Sequence, residues 1–130
     1  VFNGNYGWPV SSYGRRYDSK LKDAPISYKN SHEDYGFNEP IFSFVPSIGI
    51  SEIIELPNNF IKSWIDNFLI ASLNKRTLFR VKFDKSFDKL LFYEEIYIGS
   101  RIRDIKFHKN TNSVLVALED RAMLGILSDN

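Results

Sequence analysis

Two arginines one residue apart, Arg101 and Arg103, with Asp104 directly behind them, are the pattern in this chain best suited to chemistry. At the start of a strand, residues i and i+2 point to the same side. Both guanidiniums can then close on one anion through charge-assisted hydrogen bonds. The plainer alternative is an edge pair salt-bridged to Asp104 or Glu94. His32-Glu33-Asp34 carries metal-ligating residue types, but it stands in a long polar stretch and reads as solvated loop. His108, beside Lys106 and Lys109, reads as a partly exposed strand end. Glu94-Glu95, Asp66 and Asp120 lack a spacing that would pair two carboxylates for acid–base work. No Gly-rich strand-to-helix turn is present to cradle a phosphate. Cysteine is absent, which excludes disulfides, thiolate zinc sites and thiol catalysis.

The elements that must position the arginines are strands. From Pro40 onward, β-prone runs recur every 10–12 residues or so, and the pattern predicts strands near 41–44, 52–56, 67–73, 77–83, 90–97, 102–107, 114–118 and 123–127. In Thr77–Phe83, Phe79, Val81 and Phe83 alternate with Arg80 and Lys82. Turn formers stand between the runs at Leu73–Arg76, Asp84–Asp88 and Lys109–Asn112. One helical turn is expected over Phe60–Asp66, opened by Pro57 and Asn58. Four strands, then Gly99-Ser100, then three more describe one complete four-stranded antiparallel blade and a second lacking its outer strand. An all-β fold of propeller blades follows, with an Ig-like sandwich as its rival. Residues 1–40 differ, being rich in Tyr, Pro and Gly and poor in apolar residues. They read as a long loop region, and residues 41–130 as the blades.

The 130 residues suit one domain, with 43% hydrophobic and 25% charged residues. Seventeen basic and sixteen acidic residues leave a net charge of +1. The signs balance in both halves of the chain, so nothing marks a nucleic-acid partner. No apolar run approaches the ~20 residues that span a bilayer. The opening Val1 and the abrupt end at Asn130 suggest a piece of something longer.

Four segments carry a resemblance. Gly4-Asn5-Tyr6-Gly7-Trp8-Pro9 followed by Tyr13-Gly14 resembles the "NYGWP" loop of the soluble pyrroloquinoline-quinone (PQQ) dependent sugar dehydrogenases, the glucose/sorbosone dehydrogenase family. Val45-Pro46-Ser47-Ile48 is similar to that family's "PSIAPS" stretch. Asn67–Leu73 with Leu78-Phe79-Arg80-Val81 resembles one of its blades, and Arg101-Ile102-Arg103-Asp104 its Arg-x-Arg-Asp motif. The resemblance implies a six-bladed β-propeller of which this chain is about the C-terminal third, its last two blades. It also implies PQQ assisted by calcium, a sugar substrate, a histidine base that takes the sugar's hydroxyl proton, and export to the periplasm or beyond the cell. The histidine and the active-site calcium loop lie, in the family, upstream of the matched residues, which implies that the chain alone is inactive.

Carried over by position, Arg101 and Arg103 match the two PQQ-contacting arginines. Asn74 stands at the family's cofactor lysine, with Lys75 shifted by one, and Ser47 keeps a hydroxyl where the family has Ser or Thr. Val45 falls on the family's tryptophan. The stretch Ser11–Arg16 lacks the carboxylate that binds a structural calcium in some members. Asn74 and Val45 favour an alternative, a non-redox propeller with a binding or lactone-processing role. A free-standing β-sandwich binding module is the third reading. Open blade faces and strand edges predict self-association.

Overall fold

From Ile50 onward nearly every β-prone run becomes a strand in a computed structural model that describes residues 3–8, 10–14, 31–120 and 122–129. The strands are β1 (Ile50–Glu55), β2 (Phe68–Ser72), β3 (Thr77–Phe83), β4 (Leu90–Tyr97), β5 (Ile102–His108), β6 (Ser113–Leu118) and β7 (Met123–Leu127). They form two antiparallel sheets, β1-β2-β3-β4 and β5-β6-β7. The fold is all-β with the expected four-plus-three grouping, and among the described residues only short 3₁₀ turns are helical. The turn expected over Phe60–Asp66 is one of them, narrowed to Lys62–Trp64. Of the loop read over 1–40, Val1, Phe2, Pro9 and residues 15–30 lie outside the described residues.

The strand expected at Ile41–Phe44 does not form. Pro40 and Pro46 bracket it, each without an N–H to donate, and among the described residues no neighbouring strand offers a ladder. Phe42 and Phe44 instead pack on one another, ring centroids 4.9 Å apart.

The alternation in β2 and β3 separates two faces. Leu69, Ala71 and Leu78 point toward the second sheet and meet Ile102, Ile105, Val114 and Val116, with Leu56 and Phe60 filling the link. Each of the Leu, Ile, Val and Phe side chains among them contributes about 1.5–3 kcal/mol by leaving water. On the other face Ile70, Phe79 and Val81 are also buried. Ser51 ties the two sheets by donating its hydroxyl to the Ile102 carbonyl at 2.7 Å. At the outer strands burial fails: Leu91, Tyr93 and Tyr97 on β4 and Met123, Leu124 and Ile126 on β7 are exposed.

The chain divides into two compact units, Val1–Ser47 and Ile48–Asn130. The first has no sheet among its described residues and is organised by a carboxylate. Glu39 accepts the Tyr13 hydroxyl at 2.7 Å and the backbone N–H groups of His32 and Glu33 at 2.8 and 3.0 Å. Gly7 turns the preceding loop at φ +83°, where a β-carbon would sit 2.6 Å from the Phe37 ring. His32, expected to be solvated, is only 5% exposed. Its backbone is pinned by Glu39, and the Tyr13 ring lies over it at 4.9 Å.

Candidate functional site

The loops at one end of the two sheets in the second unit converge on Arg101. After β4, the N–H groups of Ile98 and Gly99 donate to the Arg76 carbonyl at 3.0 and 3.1 Å. Gly99 takes φ +83°, a conformation that favours glycine. This sharp link places Arg101 directly before β5. The Glu119 N–H donates to the Arg101 carbonyl at 2.9 Å, extending the β5–β6 ladder by one rung. The register then shifts between Ile102 and Asp104. Such a bulge puts an extra residue on one strand, and here it leaves Ile102 and Ile105 both buried while Arg103 and Asp104 stay exposed.

The two guanidiniums meet on one carboxylate. Arg103 donates from a terminal nitrogen to Glu119 Oε1 at 2.7 Å, and Arg101 Nε lies 3.0 Å from Glu119 Oε2. The partner is therefore Glu119, not Asp104 or Glu94. Glu94 is engaged elsewhere, 2.8 Å from Arg80, because β3 and β4 place Arg80 and Glu94 directly opposite. The β5–β6 register, shifted by one residue between Ile102 and Asp104, sets Glu119 opposite Arg101, whereas counting back from the Lys109–Asn112 turn without that bulge would set it opposite Ile102.

Asp120 braces the same corner. It accepts the Arg101 N–H at 3.1 Å, its own N–H donates to the Ser100 hydroxyl at 3.3 Å, and Arg76 stands 3.9 Å away. The hydrogen bond from Arg101, then the Arg76 charge, hold its carboxyl below the usual aspartate range despite some desolvation. Among the described residues at this end, Lys75, Arg76, Arg101 and Arg103 stand with Asp104, Glu119 and Asp120. Arg101 and Arg103 remain 40% and 53% exposed at the side chain. An anion with acceptor oxygens can reach both.

Asn74 belongs to the adjacent β2–β3 turn, two residues before Arg76. Its N–H donates to the Ile48 carbonyl at 2.9 Å, and its amide rests beside Gly49, where a β-carbon would crowd Nδ2 at 3.2 Å. The Ser72 hydroxyl donates to the same Ile48 carbonyl and accepts the Lys75 N–H, which fixes the turn. Asn74 thus offers an uncharged amide at this end. Ser47 belongs to the first unit, where it lines a cavity of about 290 Å³ with Trp8, Tyr13, His32, Phe42 and Phe44. Val45 is exposed. His108 ends β5 exposed, as expected, with Nδ1 2.8 Å from the Thr111 hydroxyl. Among the described residues no three His, Asp or Glu side chains gather as a metal site. No helix among them is long and apolar enough to cross a membrane.

Comparison with known proteins agrees with this architecture. The family model described as "Glucose / Sorbosone dehydrogenase" matches residues 2–127. A crystal structure of a glucose dehydrogenase superposes with a TM-score of 0.76 at 22% identity, covering 98% of this chain and 35% of that one. The soluble aldose sugar dehydrogenase of Escherichia coli, solved in its apo-form, superposes at 0.70 with 21% identity, covering 97% of this chain and 35% of that one. An uncharacterized protein of Synechocystis sp. (strain ATCC 27184 / PCC 6803 / Kazusa) is 26% identical over 102 residues, 78% of this chain and 23% of its own length. The chain therefore spans about a third or less of these relatives. It belongs to the glucose/sorbosone dehydrogenase family, and its two sheets are blades of a β-propeller.

Proposed function

We propose that this chain forms one wall of the PQQ site of a sugar dehydrogenase, with Arg101 and Arg103 as the cofactor clamp. The observation that carries the reading is the exposed guanidinium pair, fixed on a common carboxylate before a strand at the position of the family's arginine motif. The residues fit the group. PQQ is a tricarboxylate o-quinone, and the corner offers two half-exposed guanidiniums with Arg76, Lys75 and the Asn74 amide in the neighbouring turn. When bound, PQQ supplies the acceptor for hydride from the sugar carbon.

The chain's own part is electrostatic. Arg101 and Arg103 bind anionic oxygens and offset the negative charge that grows on the acceptor, which favours the reduced state. Asn74 contributes a hydrogen-bonding amide without charge, so it holds an anion less strongly than a lysine in its place. No residue here is assigned as the base: His32 is buried under Tyr13, and His108 is tied to Thr111. On this reading the chain binds but does not turn over, the calcium ligands lie outside it, and the protein works in the periplasm or outside the cell.

The test is a titration of the chain with PQQ in the presence of calcium, following quenching of Trp8 and Trp64. Saturable quenching that Arg101→Ala/Arg103→Ala loses is the expected result. Equal quenching in that double variant sinks the assignment. A second reading is a non-redox propeller that binds or processes a lactone, favoured by Asn74 and Val45 where the family has lysine and tryptophan. It requires that the intact chain bind no PQQ while a sugar lactone shifts its fluorescence.

A further inference from the structure

The corner holds a residue whose role the family motif does not assign. Glu119 follows β6, and its N–H donates to the Arg101 carbonyl, so its main chain is fixed by the same ladder that carries the arginines. Its carboxylate, one-third exposed, meets both guanidiniums at 2.7 and 3.0 Å. Two features of the contact matter. It approaches Arg101 at Nε, the nitrogen nearest the stem, as a 3.0 Å ion pair without hydrogen-bond alignment. It also spans both arginines with one oxygen each, which orients two flexible side chains by a single short tether. A guanidinium that is already oriented loses less freedom when it binds a ligand.

We propose that Glu119 is a positioning residue, holding the Arg101 and Arg103 guanidiniums side by side and facing outward for a polycarboxylate such as PQQ. The proposal rests on the assignment of the arginines to that ligand. Two physical accounts give opposite signs. If Glu119 acted only as a nearby negative charge, or occupied the clamp in place of the ligand, removing its charge would tighten binding of an anion. If it positions the arginines, the same change weakens binding, because the guanidiniums must then be ordered by the ligand itself.

The experiment is calorimetric titration of PQQ, with calcium present, into the unmutated chain and into Glu119→Gln, Glu119→Asp and Glu119→Ala. Exchange of the Arg101 Nε–H and of the terminal N–H protons of Arg103 is followed by NMR without ligand. The expected outcome is roughly tenfold weaker binding in Glu119→Gln, the range seen when an outer residue that orients binding groups is removed. Glu119→Ala should weaken binding further and Glu119→Asp should recover part of the loss. Faster exchange at the Arg101 Nε–H and at the terminal N–H groups of Arg103, the atoms that face Glu119, should accompany the loss, with unchanged amide protection in β5 and β6 showing that the sheet is intact. Equal or tighter binding in Glu119→Gln overturns the proposal while leaving the arginine assignment standing. Failure of the unmutated chain to bind PQQ overturns both, and so separates the two failures. Loss of amide protection in every variant makes Glu119 a residue of the fold and also overturns it.

Discussion

The second unit holds the same arginine–glutamate pairing in two settings. Arg80, at mid-β3, faces Glu94 at 2.8 Å, and its guanidinium lies 5.0 Å from the Trp64 ring and 5.1 Å from that of Phe92. Its side chain is 16% exposed. Arg101 and Arg103 share Glu119 at similar distances but sit on a bulged strand start with no aromatic cover among the described residues, 40% and 53% exposed. The chemistry of the pair is the same; the enclosure differs. A caged guanidinium spends its capacity on the fold, and an open pair keeps donors for a ligand.

The comparison can be broken at either end. The largest effect is expected from Arg101→Ala/Arg103→Ala. Losing charge-assisted hydrogen bonds worth about 1.5–3 kcal/mol each should cost PQQ affinity on the order of 100-fold, read by calorimetry. Urea unfolding of the same variant should move by less than about 1 kcal/mol, the scale of exposed ion pairs. Arg80→Ala should do the reverse. It removes two cation–π contacts and the stem packing, at a cost of about 2 kcal/mol in urea unfolding, and leaves PQQ binding unchanged. If the stability losses of the two variants are equal, enclosure is not what separates the sites.

Acid sharpens the contrast through Asp120. Its folded pKa lies below the ordinary aspartate value because the Arg101 N–H donates to it and Arg76 stands near. A carboxyl lowered in this way stabilises the folded corner above its unfolded pKa, and the contribution fades as pH falls through the folded value. The protection of the Arg101 amide relative to its intrinsic exchange rate should therefore be steady near neutral pH and fall in acid below the aspartate range. Asp120→Asn should remove that pH dependence. A smaller effect is expected at the outer strand: Leu124→Lys/Ile126→Lys should reduce the self-association that the exposed β7 surface favours, seen as a lower weight-average mass in sedimentation equilibrium. The smallest is Arg76→Ala, whose 3.9 Å pair with Asp120 is half-exposed and should shift stability by under about 0.5 kcal/mol.

The strands were legible because alternation and turn formers are local signals. Thr77–Phe83 reads as a strand from its own residues, and β3 has those bounds. The arginine pair was legible for the same reason. Its partner was not, because Glu119 meets Arg101 only through the register of a hairpin, whereas Asp104 and Glu94 are nearer in sequence. Asp120, which the sequence marks only as lacking a second carboxylate for acid–base work, accepts the Arg101 N–H, a backbone group that residue types do not reveal. Ile41–Phe44 has strand-forming residues and, among the described residues, no ladder to join. The burial of His32 depends on Glu39 and Tyr13, 7 and 19 residues away, and no periodicity marks such a contact.

The most direct test of the central assignment is NMR of the arginine Nε–H resonances during a PQQ titration with calcium. Arg80 serves as the internal control. Saturable shifts at Arg101 and Arg103 with Arg80 unmoved are the predicted result. Shifts of equal size at all three, or none at the open pair, would contradict the assignment of Arg101 and Arg103 as the clamp.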